Sequence, residues 1–193
     1  MSMPDIARSW TREDLLLLPE DGNRYELLDG QLLVTPSPAW SHQYAVVGLL
    51  TRIEPYVRRH RLGGTCVAPA DLDFKSGQLL QPDLFVVALF EGRQPLHWSE
   101  AGIPLLIVEV VSPSSALSDR NRKRRKYQTA GVGEYWIVDP DARLIERWTP
   151  EDQRPEILTD RIEWQPDAAL PALAIELPDY FREVWGETEK RKG

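Results

Sequence analysis

The stretch LLIVEVVSPSSALSDRNRKRRKYQTAGVGEYWIVD, Leu105 to Asp139, decides the fold. It opens as an apolar strand, Leu105-Leu106-Ile107-Val108, is interrupted by Glu109, and resumes at Val110-Val111. A carboxylate in a strand that should be buried is costly unless something compensates it, and a cation is the natural compensator. The strand ends at Ser112-Pro113-Ser114-Ser115. A basic helical segment follows, in which Arg120, Arg122, Lys123, Arg124, Arg125 and Lys126 crowd together. A second apolar strand, Tyr135-Trp136-Ile137-Val138, closes the unit.

Outward from this unit, the N-terminal side carries Thr11-Arg12-Glu13-Asp14, which reads as the capped start of a short helix ended by Pro19 and Gly22. Two apolar runs around Asp29-Gly30 are a strong hairpin signal. From His42 to His60, Val46, Leu49, Leu50, Ile53 and Val57 recur at helical spacing. Ser41 is its expected cap and Gly63-Gly64 its expected stop. Thr65 to Phe74 is strand-like but holds Pro69, so it should be bent or at an edge. Ser76-Gly77 reads as a turn, and Leu84 to Val87 as a short buried strand opened by Asp83. Phe90 to Pro104 reads as loop. Leu144–Trp148, Glu156–Leu158 and Asp160–Trp164 suggest a C-terminal meander, Pro178–Trp185 a last helix, and Glu187–Gly193 a charged tail. The expected architecture is α/β: a central mixed β-sheet flanked by helices, with an added N-terminal hairpin and a C-terminal meander, all in one domain over residues 1–193.

Composition excludes some functions. No apolar run approaches the roughly 20 residues that cross a bilayer, and the N-terminus lacks a signal-peptide layout. Cys66 is the single cysteine, which leaves no disulfide framework and no thiolate zinc cluster. These features point to the cytoplasm. The net charge of −7 argues mildly against a general nucleic-acid binder, although the bases are locally clustered.

Asp83 and Glu109 each mark a buried strand, and if those strands are neighbours the two carboxylates converge. Such an oxygen-only set suits Mg²⁺ or Mn²⁺. The plainer alternatives are a turn role for Asp83 and an edge position or an arginine partner for Glu109. Asp119, Lys123 and Tyr127 are spaced by four and share one helix face, so Lys123 should point inward with the packed Tyr127. Asp119 reads equally well as a cap. The other bases read as a solvated face or a phosphate-contacting stripe, with Arg120, Arg124 and Arg125 as the candidate nucleic-acid contacts. His42 and Glu26 alone would read as structural and solvent-facing. Asp71 and Asp73 could supplement a metal site, though an edge device is the simpler role.

The series RYELLDGQLL (24–33), SHQYAVVGLL (41–50), QPDLFVV (81–87) and LLIVEVVSPSS (105–115), followed by Asp119, Lys123, Tyr127, Gly131-Val132 and Glu134 to Pro140, resembles the Uma-two family of restriction endonucleases. The resemblance runs from about Tyr25 to Phe181 and places the chain in the PD-(D/E)XK nuclease superfamily, with its restriction-endonuclease-like fold. It implies Mg²⁺- or Mn²⁺-dependent hydrolysis of phosphodiesters, with DNA as the expected partner. It makes Asp83 and Glu109 metal ligands together with the Val110 carbonyl, and sets His42 and Glu26 near the site. The superfamily's motif lysine is missing, since Val111 holds that position, and Lys123 matches a lysine moved to the following helix. That departure keeps open a module that holds the fold, binds nucleic acid or a protein and turns over weakly or not at all. Cutting both strands of a duplex would suit a homodimer.

Overall fold

The computed structural model describes residues 9–74, 78–112 and 115–187. The turn expected at Ser76-Gly77, the Pro113-Ser114 part of the strand-ending loop, and the tail from residue 188 onward lie outside these residues.

The centre is a six-stranded sheet in the order β10-β9-β8-β7-β6-β3. Its strands are β3 (Gly63–Val67), β6 (Leu84–Ala88), β7 (Leu106–Val110), β8 (Glu134–Asp139), β9 (Leu144–Trp148) and β10 (Glu156–Leu158). Strands β7 and β8 run parallel and the other pairs antiparallel, so the sheet is mixed as expected. A parallel neighbour cannot be reached by a tight turn. The basic segment supplies the crossover as α3 (Ala116–Ser118), a π-helical turn (Asp119–Lys123) and α4 (Arg124–Thr129).

Alternation along the central strands assigns each side chain to one of two cores. Leu84, Val86, Leu106, Val108, Val110, Trp136 and Val138 face the first. It is closed by α2 (Trp40–Arg59), the hairpin of β11 (Arg161–Trp164) and β12 (Leu173–Glu176), and α5 (Leu177–Val184). Phe85, Val87, Ile107, Tyr135 and Ile137 face the second core. There a smaller sheet, β2-β1-β5-β4, packs with the basic segment. Its strands are β1 (Arg24–Leu28), β2 (Gln31–Thr35), β4 (Leu72–Asp73) and β5 (Leu79–Leu80). The same parity turns Asp83 and Glu109 toward this second side, between the two sheets.

The hairpin at Asp29-Gly30 forms with both residues at positive φ, 52° and 71°, the backbone that a two-residue hairpin turn requires. Thr11 caps the short helix α1 (Arg12–Leu15) through a full capping box with Asp14. The long helix starts earlier than expected. Its cap is Ala39, and Ser41 lies inside the first turn. The Gly63-Gly64 pair does not stop the helix but opens β3, against β6. A Cβ on Gly63 would lie 1.7 Å from the Val87 carbonyl oxygen, so the glycine is required by strand proximity. The expected meander divides: β9 and β10 extend the main sheet, whereas β11 pairs with β12, a strand that was not anticipated. No helix among the described residues is long and apolar enough to cross a membrane.

Gly63→Ala should destabilise the fold by about 1–3 kcal/mol, the usual cost of forced overpacking. Gly102→Ala, where nothing lies within 4 Å of the added carbon, should stay within about 0.5 kcal/mol of the parent. Chemical denaturation of the two variants checks this, and equal midpoints would contradict it.

Candidate functional site

Register brings Asp83 and Glu109 together. Leu84 pairs with Val108 in antiparallel β6 and β7, so Asp83, just before Leu84, lies beside the residues just after Val108. The Val110 amide donates to Asp83 Oδ2 at 2.8 Å. His42, on the first turn of α2, places Nε2 3.1 Å from the same oxygen. Arg24 on β1 donates to Asp83 Oδ1 at 2.7 Å and to the Gln81 carbonyl at 3.0 Å. Both Asp83 oxygens are therefore engaged, although the residue is only 3% exposed.

Glu109 is 2% exposed and accepts two hydrogen bonds at Oε1, from Lys123 Nζ and from the Tyr127 hydroxyl, each at 3.0 Å. Lys123 is buried as well. Its ammonium lies 2.9 Å from Glu26 Oε2, 3.0 Å from Glu109 Oε1 and 3.4 Å from Asp119 Oδ1. The inward direction expected from the spacing of Asp119, Lys123 and Tyr127 holds through the π-helical turn, a distortion often found at functional sites. Glu26 is not solvent-facing but 1% exposed, tied to Lys123 and to the Gln81 amide at 2.8 Å. Four buried carboxylates, Glu26, Asp83, Glu109 and Asp119, thus share two cations, Lys123 and Arg24, with His42 beside Asp83.

A cleft of about 260 Å³ opens onto this cluster. Arg24, His42, Asp83, Glu109, Val110, Val111 and Lys123 line it, together with the Thr35–Ala39 loop, Ser112, Ser115, Pro140 and Asp141. The candidate nucleic-acid arginines lie elsewhere. Arg120 pairs with Asp139 at 2.8 Å and with Glu146, and Arg124 lies over the Trp148 ring at 4.4 Å. Both therefore hold the crossover to the sheet, while Arg125 is exposed. Asp71 accepts from the Gln81 side chain and Asp73 pairs with Arg12, so neither joins the cluster. Arg24 was overlooked in the sequence. Its signal was parity with Glu26, two residues along the same strand and so on the same face.

Electrostatics separate the two carboxylates. Burial alone would raise the Asp83 carboxyl, but the bond to His42, its charge, the Arg24 guanidinium and the Val110 amide outweigh it and hold Asp83 at about 2. Burial raises Glu109 well above the ordinary range; Lys123 opposes this, while Asp119, Asp83 and Glu26 add to it. Asp119 is raised by burial against the pull of Lys123. Burial would lower Lys123, yet Glu109, Glu26 and Asp119 raise it, so the ammonium stays charged. Divergent acidities within one cleft are a hallmark of functional sites.

Among the described residues no group of three or more His, Cys, Asp or Glu is arranged to hold a metal ion. A hard cation such as Mg²⁺ commonly takes only one or two protein carboxylates, the rest of its shell being water and substrate. The chemistry of the donors fits such an ion: carboxylate oxygens at the cleft wall and an excess of buried carboxylates over cations.

The fold, a central mixed sheet flanked by helices, is restriction-endonuclease-like. The chain belongs to the Uma2 family, described as "putative restriction endonuclease", whose model matches residues 12–178. It is similar in structure to a putative nuclease from Anabaena variabilis, with a TM-score of 0.69 and 20% identity over 90% of this chain and 98% of that one. Among curated proteins, none matches the chain.

The raised Glu109 and Asp119 bind protons in the folded state that the unfolded chain has released. Folding stability should therefore fall as pH rises above the ordinary carboxylate range. Asp83 acts oppositely: its contribution is complete above about 3.8 and is lost as pH falls through about 2. In EDTA, acidification from neutral pH toward the ordinary carboxylate range should raise the thermal midpoint. Glu109→Gln should stabilise the protein at neutral pH and flatten that pH dependence. A destabilised Glu109→Gln with an unaltered pH slope would contradict this.

Proposed function

We propose that this chain is a divalent-metal-dependent endonuclease that hydrolyses phosphodiester bonds of DNA. The observation that carries the proposal is the meeting, at one cleft, of Asp83, Glu109 and the buried ammonium of Lys123. Asp83, Glu109 and the Val110 carbonyl would hold Mg²⁺ or Mn²⁺, which would supply Lewis-acid stabilisation of charge on a phosphoryl oxygen.

The chain's own residues do the rest. Lys123, fixed by Glu26, Glu109 and Asp119, keeps a positive charge at the cleft floor, where it can orient an attacking water or offset charge developing on the phosphorane. Glu26 acts through Lys123 by holding its ammonium beside Glu109, and His42 acts through Asp83 by fixing its carboxylate. Lys123 reaches Glu109 from the crossover, so Val111 need not supply the motif lysine. Arg125 and neighbouring surface bases would contact phosphates outside the cleft, with Arg120 and Arg124 maintaining the segment that presents them. We place the activity in a single domain spanning 1–193 that works in the cytoplasm, and a homodimer would bring two clefts to the two strands of a duplex.

A second reading is a nuclease-fold module that binds nucleic acid or a protein without turnover. The acidic net charge favours it.

With supercoiled plasmid, the wild-type chain should cleave in Mg²⁺ or Mn²⁺ and not in EDTA. Asp83→Asn, Glu109→Gln and Lys123→Met should each slow cleavage by about 10²-fold or more. Activity that survives in both carboxylate variants would overturn the metal site. Salt-dependent DNA binding by an inert wild type would support the module instead.

A further inference from the structure

We infer that Arg24 is a built-in cation gate on this site: its guanidinium occupies Asp83 and competes with a divalent cation for that carboxylate. The inference rests on the reading of Asp83 as a metal ligand and adds a residue that sets the site's affinity. Three observations carry it.

The first is the division of labour at Asp83. Its Oδ2 is held by the Val110 amide and His42, one of them backbone and both on neighbouring elements. Its Oδ1 is held by Arg24 at 2.7 Å, the hydrogen-bond partner that this oxygen has among the described residues. Oδ1 is therefore the oxygen whose partner can be exchanged without loosening Asp83 from β7.

The second is the difference between the two cations. Lys123 has a side chain only 4% exposed and lies among three carboxylates, so it has no route out. The Arg24 side chain is 17% exposed and lines the cleft, where its guanidinium has room to move. Its second hydrogen bond, at 3.0 Å, goes to an uncharged acceptor, the Gln81 carbonyl.

The third is charge. A guanidinium on Asp83 cancels the charge an arriving cation would seek, and two cations cannot share one carboxylate at close range without mutual repulsion. Removing the guanidinium should therefore tighten cation binding. Conversely, an anion in the cleft that draws Arg24 away, such as a substrate phosphate, should raise cation affinity, because coupling between two ligands is reciprocal.

The test is calorimetric titration of Mn²⁺ into wild type, Arg24→Gln, Arg24→Lys and Asp83→Asn, each checked for folding by circular dichroism. The expected result is that Arg24→Gln binds Mn²⁺ at least about tenfold more tightly than wild type, the change that about 1.4 kcal/mol of lost repulsion gives. Arg24→Lys, which keeps the charge, should stay near wild type, and Asp83→Asn should abolish binding. Unchanged or weaker binding by Arg24→Gln, with Asp83→Asn still abolishing it, would overturn the gate and leave the metal site standing. Binding that survives in Asp83→Asn would overturn both. Should Arg24→Gln fail to fold, Arg24→Met is titrated in its place, with the same tightening expected and the same unchanged or weaker binding overturning the gate.

Discussion

One ammonium holds this site together. Lys123 is buried from solvent and stands between Glu26 of the hairpin, Glu109 of the central sheet and Asp119 of its own crossover. A lysine so enclosed is tolerable only because three carboxylates face it, and those carboxylates are tolerable only because it is there. The small sheet, the main sheet and the crossover thus meet through charge at the point where the apolar packing of the second core ends. Removing the lysine would leave three buried acids that could relax only by taking up protons.

That dependence explains why the cleft has its chemistry. The cluster carries more carboxylates than cations, and the surplus is expressed as a raised Glu109 beside a depressed Asp83. One end of the pair is fixed as an anion by Arg24, His42 and a backbone amide, while the other waits for positive charge. A hard divalent cation would supply that charge, and a phosphodiester entering the cleft would meet both the cation and the Lys123 ammonium.

Much of this was legible in the sequence because it follows from parity. Glu109 broke an apolar strand, and alternation put it on the face away from Val108 and Val110. The four-residue steps from Asp119 to Lys123 to Tyr127 aimed the lysine inward even though the segment is wound partly as a π-helix. What stayed hidden depended on tertiary neighbours. Nothing local says that Glu26 is buried, because its burial comes from β1 lying across the crossover. Arg120 and Arg124 read as free bases because their partners, Asp139, Glu146 and Trp148, come from β8 and β9. The glycines after α2 suggested a helix stop, whereas the close approach of Gly63 to Val87 is a contact with a strand more than twenty residues on.

If Asp83 and Glu109 are two sides of one ion site, a bound cation must touch both. Anomalous diffraction from crystals soaked in Mn²⁺ tests it most directly. The expected result is a peak within bonding distance of both carboxylates, at the cleft wall beside the Val110 carbonyl. A well-occupied peak elsewhere on the protein, or no peak at this cleft at saturating Mn²⁺, would contradict it.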